Sequence, residues 1–323
     1  MNWLKNLGHS DQIALLFMLL FGALLIASSI TLWISLQERN DSAEQAERRR
    51  RFRRELNAVW VGASVFWVAW IAGPVAATLL FGLLSFLALR EFITLMHTRR
   101  SDHRSLLLAF FLILPLQYLL VGLRQFDLFS VLIPVYSFLA IPVVSALADD
   151  PAHFLTRNAK IQWGLMVCIY GLSHGPALLL LDIPGYSGRG AFLLFFLVAV
   201  LSCGQLAQLA ASRRLRSRLL ARRVSRTFSL RAWAVGALTA GLVGAALYWI
   251  TPFRIEQALL MAALAAGAGS FGGLVMEALK RDAGVRSWGN SSSITGAVGL
   301  LDRIAVLCFA APVFFHSVRW YFA

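Results

Sequence analysis

The sequence has few acidic residues, and one long stretch has none. The chain of 323 residues contains 16 Asp and Glu against 30 Lys and Arg, and no carboxylate occurs between Asp182 and Glu256. Charged residues make up only 14% of the chain, whereas soluble globular domains carry roughly a quarter. The composition therefore excludes an ordinary soluble domain.

Cysteine is also scarce, and its placement excludes the usual cysteine chemistries. Cys168, Cys203 and Cys308 all fall inside apolar runs, with no CxxC pair and no Cys/His cluster. Disulfide frameworks and zinc sites use paired or clustered cysteines at short spacings. We therefore predict that the three thiols are buried packing groups.

Long apolar runs make up most of the chain. Hydrophobic residues account for 59% of it, and a run of about twenty residues is long enough to cross the bilayer core as a helix. We predict an all-α fold, a polytopic transmembrane helical bundle of about ten spans. The predicted spans are 13–36, 58–72, 76–96, 105–123, 128–148, 161–181, 191–211, 232–251, 257–279 and 304–322. Since 58–72 is short and only a few residues separate it from the next run, nine spans with a re-entrant piece is the alternative.

The distribution of Lys and Arg predicts the orientation of the spans. Cytoplasmic loops carry an excess of basic residues, and with ten spans the loops 37–57, 212–231 and 280–303 and those around Arg99 and Arg157 all fall on one side. We predict that both termini lie outside and that these loops are cytoplasmic. One integral membrane domain is predicted to cover residues 1–323, with an Arg-rich cytoplasmic linker at 37–57. The net charge of +14 then favours anionic lipid head groups or a polyphosphate ligand as partners, not nucleic acid.

A polar segment between the last two predicted spans carries the most informative residues. Residues 273–303 read GLVMEALKRDAGVRSWGNSSSITGAVGLLDR, and the anchors are Lys280-Arg281-Asp282-x-Gly284 and Gly299-Leu300-Leu301-Asp302-Arg303. These anchors resemble the signature of the bacterial phosphatidate cytidylyltransferase family, also called CDP-diacylglycerol synthases. Leu89-Arg90-Glu91-Phe92 also resembles an Arg-Glu-Phe element found in part of that family. Within the family, the chain looks closest to the shorter enterobacterial-type paralogues.

The resemblance implies a fold, a reaction and a set of site residues. The family joins CTP to phosphatidic acid, giving CDP-diacylglycerol and pyrophosphate, in the bacterial inner membrane, with Mg²⁺ held by aspartates and with a homodimeric assembly. Transferred to this sequence, the resemblance implies catalytic roles for Lys280, Arg281, Asp302 and Arg303. It also implies metal ligation by Asp282 and Asp302, and substrate-nucleotide binding by Ser225 and Gly284.

The sequence departs from the family pattern at several acidic positions. Gly273, Ser287 and Ala305 stand where the family carries Asp, and the stretch from Gln205 to Gln208 stands where another Asp is expected. Two hypotheses follow. The protein is either an enzyme of phospholipid biosynthesis with an altered site, or a non-catalytic relative that binds anionic lipid or partners with an active lipid-synthesis enzyme.

The residues of the polar segment also have structural alternatives. Glu277 and Arg281 have the i, i+4 spacing of a helical ion pair. Asp302 has the position of an N-cap before the last apolar run. Lys280 and Arg281 have the character of interfacial anchors, and Gly284 that of a helix C-cap.

Two further features have alternatives as well. The eight arginines from Arg213 to Arg231 are predicted to contact lipid head groups, with binding of CTP or pyrophosphate as the alternative. His174 lies in a Ser-His-Gly-Pro break of the sixth predicted span. We predict that it is a packed, hydrogen-bonded side chain at a helix kink, with an intramembrane functional role as the alternative.

Overall fold

A computed structural model of the chain describes residues 11–18, 21–22, 25–26, 28–29, 67, 70–96, 98–215, 218–225, 228–285, 288 and 299–322. The chain divides into two compact units, Met1–Gly73 and Pro74–Ala323. In the first unit the described part of 11–29 is helical, and the rings of Trp67 and Trp70 stack with centroids 4.9 Å apart. The linker 37–57 and most of the spans 13–36 and 58–72 lie outside the described residues. That a single domain covers residues 1–323 stays a prediction.

The second unit is helical throughout its described part, apart from connecting turns and one antiparallel bridge between Leu219 and Ser229. Seven of its helices are long and apolar enough to cross a membrane, and α6 is shorter, at 17 residues. The helices coincide with the last eight predicted spans, which confirms an all-helical, multi-pass membrane protein. Their bounds are α1 Pro74–Leu95, α2 Arg100–Gly122, α3 Phe126–Ala146, α4 Phe154–Leu180, α5 Gly190–Arg214, α6 Leu230–Ala246, α7 Ile255–Asp282 and α8 Leu300–Phe322.

Small residues face inward and large apolar residues face outward on α6 and α7. Gly244 on α6 and Ala262 on α7 are so close that a Cβ added to Gly244 would stand 2.4 Å from the Ala262 Cβ. Leu238 and Leu260, in contrast, are about two-thirds exposed. Lipid tails are as apolar as leucine, so burying leucine gains little there, and helices associate through close backbone contact between small residues. Gly269 on α7 makes a similar close contact with α8, because a Cβ there would stand 2.6 Å from Val306 Cγ1.

His174 is packed and hydrogen-bonded, as predicted. It is fully buried in the last part of α4, which has a π-helical stretch at Leu165–Gly171 and contains Pro176. Its Nδ1 lies 2.7 Å from the Tyr170 carbonyl oxygen, and its Nε2 lies 3.3 Å from His316 Nε2. A carbonyl can only accept, so Nδ1–H of His174 donates to it.

A buried ion pair joins the beginnings of α2 and α4. Arg157, expected from the sequence to be a loop cation, lies in the first turn of α4 with its side chain only 4% exposed. Its Nε donates to Asp102 Oδ1 at 2.7 Å, and its Nη1 lies 2.8 Å from Asp150 Oδ2 and donates to the Ala152 carbonyl at 2.8 Å. Removing one partner of such a pair destabilises the fold, because the other charge is left buried without compensation.

Asp150 makes this cluster sensitive to acid. Hydrogen bonds from the Ser101 hydroxyl and the Ala152 N–H, together with the charge of Arg157, hold the pKa of the Asp150 carboxyl below its usual value. A carboxyl with a lowered folded-state pKa stabilises the protein above its unfolded-state pKa. That stabilisation is lost as the pH falls through the folded-state value.

We expect Arg157→Met to destabilise the protein by about 3–5 kcal/mol, because it leaves the buried carboxylate of Asp102 without its charge partner. The matched control is Arg124→Met, since Arg124 pairs at 3.1 Å with Asp182 but both side chains are more than half exposed. An exposed pair contributes about 0–1 kcal/mol. The free energy of unfolding in detergent micelles measures both, and equal losses would contradict a special role for the buried pair.

The contact between α4 and α8 generates a second prediction. A Cβ at Gly171 would stand 2.4 Å from the backbone oxygen of Cys308, whereas one at Gly122 would have no atom within 4 Å. Gly171→Ala should therefore cost about 1–3 kcal/mol from overpacking, and Gly122→Ala should cost nothing measurable. Thermal unfolding of the two variants in the same detergent compares them, and a fully stable Gly171→Ala protein would show that the helices do not pack this closely.

Candidate active site

A cavity of about 500 Å³ opens where α5, α7 and the beginning of α8 meet. This volume lies in the range of about 300–1,000 Å³ that is usual for small-molecule sites. Polar and charged side chains line one part of it, and apolar side chains line the rest. The lining residues are Gln205, Gln208, Leu209, Ser212, Ser225, Phe228, Ser270, Gly273, Leu274, Met276, Glu277, Lys280, Arg281, Asp302, Ala305 and Val306.

A carboxylate from α1 fixes the beginning of α8. The N–H groups of Leu300 and Leu301 donate to Glu91 Oε2 at 3.1 Å and Glu91 Oε1 at 3.2 Å, and Glu91 is only 3% exposed. The first N–H groups of a helix have no partner within the helix, so an acceptor beside them stabilises the helix start. The N-cap alternative for Asp302 was therefore wrong, because Asp302 lies inside the first turn of α8 and Glu91 accepts from the N–H groups before it.

Phe92, the residue after Glu91, supports the same region from α1. Its ring stacks on the buried ring of Trp288, with centroids 5.5 Å apart. The backbone N–H of Trp288 donates to Asp302 Oδ2 at 3.1 Å. Glu91 and Phe92 thus act together on the position of Asp302. The Leu89-to-Phe92 element was visible in the sequence, but its contacts with α8 were not.

Lys280 lies between the two carboxylates of the cavity. Its Nζ donates to Glu277 Oε1 at 2.7 Å and to Asp302 Oδ1 at 2.8 Å. The Lys280 side chain is 11% exposed, so it points into the protein and not toward the surface. The predicted ion pair between Glu277 and Arg281 was wrong, because Glu277 pairs with Lys280 instead.

Arg281 connects α7 to the segment between α5 and α6. Its Nε donates to the carbonyl of Val224 at 2.6 Å. Ser225 follows directly, is almost fully buried, and donates its N–H to the Ala221 carbonyl at 2.8 Å. The contact of Arg281 therefore holds the backbone that carries Ser225 against the cavity.

The structure brings some of the predicted site residues together and leaves others apart. Lys280, Arg281, Asp302 and Ser225 all line the cavity. Asp282 and Arg303 are exposed and are not lining residues, and neither is Gly284. The roles inferred for these seven residues stay predictions.

Gly284 has the structural role expected of it. Its φ is +71°, and it follows the end of α7. Its N–H donates to the Arg281 carbonyl at 3.2 Å, and the Val285 N–H donates to the Lys280 carbonyl at 3.0 Å. This is the Schellman arrangement, in which a left-handed glycine ends the helix.

Neutral groups line a wall of the cavity at which the signature resemblance implies acidic ones. Gln205, Gln208 and Gly273 are all lining residues, and the Ser270 hydroxyl lies 2.6 Å from Gln208 Oε1. Sequence reasoning missed Ser270 and Ser212, and it considered Glu277 only as half of an ion pair. The spacing of Glu277, Lys280 and Arg281 on one helix was the available signal for a shared cavity face.

The described carboxylates do not fit a Mg²⁺ site as they stand. Glu277 and Asp302 are the acidic side chains among the described lining residues, and both are bonded to Lys280. No group of three or more His, Cys, Asp or Glu suited to a metal ion occurs in the described parts of the chain. Mg²⁺ needs oxygen ligands at about 2.0–2.1 Å, and the ammonium group stands between the two candidates.

Comparison with known proteins agrees with the signature residues. The model of the cytidylyltransferase family matches residues 52–321. The uncharacterized protein YnbB of Escherichia coli strain K12 is 37% identical over 265 residues, which cover 81% of this chain and 85% of that protein. The resemblance drawn from the signature is thus confirmed, and the chain belongs to the cytidylyltransferase family.

Proposed function

We propose that the protein is a phosphatidate cytidylyltransferase-like enzyme of the bacterial inner membrane. It uses CTP and phosphatidic acid to form CDP-diacylglycerol and pyrophosphate in phospholipid biosynthesis. The observation that carries the proposal is the cavity itself, which brings together the signature residues Lys280, Arg281 and Asp302 at one end of a membrane bundle. Family membership supports the nucleotide, because the matched family transfers cytidylyl groups.

The cavity residues have roles that suit phosphoryl chemistry. An oxygen of the lipid phosphate attacks the α-phosphorus of CTP, and pyrophosphate leaves. Positioning and charge neutralisation provide nearly all of the catalysis in such a transfer. The Lys280 ammonium and the Arg281 guanidinium neutralise phosphate oxygens, and Asp302 holds the ammonium in place.

The lipid can reach the cavity from the side of the bundle. Leu209 lines the cavity and is 41% exposed, and Leu206, one turn earlier on α5, is 68% exposed. Apolar residues this exposed on a spanning helix face the acyl chains. A phosphatidic acid molecule therefore keeps its acyl chains in the bilayer while its head group enters the polar part of the cavity.

The connection between α5 and α6 adds positive charge beside the cavity. Arg213, Arg214, Arg218, Arg222 and Arg223 are all exposed, and Ser225 of the same connection lines the cavity. Basic residues near a membrane surface attract anionic lipids. This supports the prediction that these arginines contact head groups, and the positive-inside rule favours a cytoplasmic location for the connection.

A second candidate function is a non-catalytic lipid-binding relative. The observation that favours it is the neutral wall of Gln205, Gln208 and Gly273, because the resemblance implies acidic residues at Gly273 and within the stretch 205–208. In this case the cavity binds the anionic head group, and the protein acts with an active lipid-synthesis enzyme. A homodimer, as in the family, is part of either proposal.

Product analysis tests the first proposal. Purified protein in liposomes that contain phosphatidic acid is given CTP, with Mg²⁺ in one sample and EDTA in another, and CDP-diacylglycerol is measured by mass spectrometry. We expect product from the wild type, and a fall of about 10²–10³-fold for Asp302→Asn, because the Lys280 ammonium loses a charged partner. Asp182→Asn is the control, since Asp182 is exposed and pairs with Arg124. Folded wild-type protein that binds phosphatidic acid but makes no product would favour the second candidate.

Glu91 provides a separate prediction. Glu91→Ala should lower the free energy of unfolding, because two helix N–H groups lose their acceptor at about 1–3 kcal/mol for each unsatisfied group. It should also lower kcat at temperatures where the variant is fully folded, since Asp302 follows these groups directly. Glu91→Gln keeps one acceptor oxygen and should retain part of both properties.

The control for this series is Glu256→Ala, because Glu256 is exposed in the first turn of α7. Differential scanning fluorimetry and the product assay on the same preparations separate stability from rate. A stable Glu91→Ala protein with wild-type kcat would show that the α1 carboxylate does not position the site.

A further inference from the structure

The two carboxylates of the cavity share one cation. Glu277 Oε1 and Asp302 Oδ1 come from different helices, and the Lys280 Nζ bonds both of them at 2.7 and 2.8 Å. Because both oxygens are hydrogen-bonded to the same nitrogen, the distance between them cannot exceed the sum of these two N–O distances. Carboxylates this close repel each other unless a cation or a proton lies between them.

The position of Lys280 favours its own ammonium as that cation. Lys280 lies one turn after Glu277 on α7, so the ammonium is tethered next to the carboxylates and is present at high effective concentration. The Lys280 side chain is only 11% exposed, whereas the Glu277 and Asp302 side chains are 43% and 33% exposed, so the ammonium is the most shielded member of the cluster. A divalent ion would have to displace the Lys280 ammonium, which is already bonded to both carboxylates and is covalently part of the chain.

The charge of the cavity also favours an anionic ligand over a free metal ion. Among the lining residues that the structure describes, the charged ones are Lys280, Arg281, Glu277 and Asp302, and their charges cancel. The exposed arginines of the α5–α6 connection then leave the surroundings positive. A phosphate group is attracted to this arrangement, whereas a divalent cation without a phosphate ligand gains little from it.

We propose that the Lys280 ammonium is a built-in cation that occupies the space between Glu277 and Asp302, where a divalent metal ion would otherwise have to bind, so that the cavity binds phosphate groups without a divalent metal ion. The part about phosphate binding rests on the proposed function. The part about the cation does not, because it concerns only these three side chains.

Mn²⁺ binding tests the cation part without any nucleotide. Mn²⁺ is a hard ion that suits carboxylate ligands, and the loss of its free electron paramagnetic resonance signal reports binding to purified protein in non-ionic detergent. We expect wild type and Asp302→Asn to bind Mn²⁺ equally, because the Lys280 ammonium already occupies the space between the two side chains. Lys280→Met should bind one additional Mn²⁺ per chain, and the double variant Lys280→Met/Asp302→Asn should lose it again.

Controls make each outcome informative. Lys160→Met, on α4 and outside the cavity lining, should bind Mn²⁺ like the wild type. Lys280→Gln provides a second neutral side chain in case the methionine variant is unstable. The proposal is overturned if wild type binds a Mn²⁺ that Asp302→Asn loses, or if a folded neutral variant of Lys280 gains no Mn²⁺.

Binding of radiolabelled CTP tests the phosphate part. We expect the wild type to bind CTP with the same affinity in Mg²⁺ and in EDTA. Binding only in Mg²⁺ would overturn the inference and leave the proposed function intact. No CTP binding in either condition, together with the expected Mn²⁺ result, would instead remove the proposed function and leave Lys280 as the built-in cation.

Discussion

The beginning of α8 depends on a carboxylate that belongs to α1. Glu91 is buried inside an apolar spanning helix, where a charged group is expensive unless it is paired or hydrogen-bonded. The N–H groups of Leu300 and Leu301 provide those hydrogen bonds, and the positive end of the α8 dipole favours the negative charge. The helix start and the carboxylate therefore stabilise each other. Their contact joins residues that are 209 positions apart in the sequence.

The arrangement of charges in the cavity follows from that contact. Once α8 begins at Leu300, Asp302 lies in its first turn and accepts from the Trp288 N–H and the Lys280 ammonium. Lys280 in turn reaches Glu277 on its own helix. The small residues of α7 allow this meeting, because a Cβ at Gly272 would stand 2.2 Å from the ring of Phe309. The close packing of α7 against α8 thus allows the ion cluster of Lys280, Glu277 and Asp302 to form.

The sequence predicted those features that depend on local pattern. Apolar runs gave the eight described helices of the second unit, and Gly284 could be identified as a helix end because a left-handed glycine is a local requirement. Local rules failed where a distant partner competed. The sequence suggested Asp302 as an N-cap, but α8 begins two residues earlier, and Glu91 provides the acceptor from another helix. Arg157 looked like a loop cation, and the buried Asp102 that holds it lies 55 positions away.

The acidic signature residues that this chain lacks affect the charge of the cavity wall. The resemblance implies an acidic residue at Gly273, at Ala305 and within the stretch from Gln205 to Gln208, and Gly273, Ala305, Gln205 and Gln208 all line the cavity. Removing negative charge from a wall that must receive phosphate groups lowers the repulsion the ligand meets, and it also removes ligands that a metal ion would need. Phosphate binding then requires that positively charged side chains take over the role of the metal ion. Lys280 and Arg281 together balance the charges of Glu277 and Asp302, and the exposed arginines of the α5–α6 connection leave the surroundings positive, so the sparse acidic residues of this chain are compatible with phosphate chemistry.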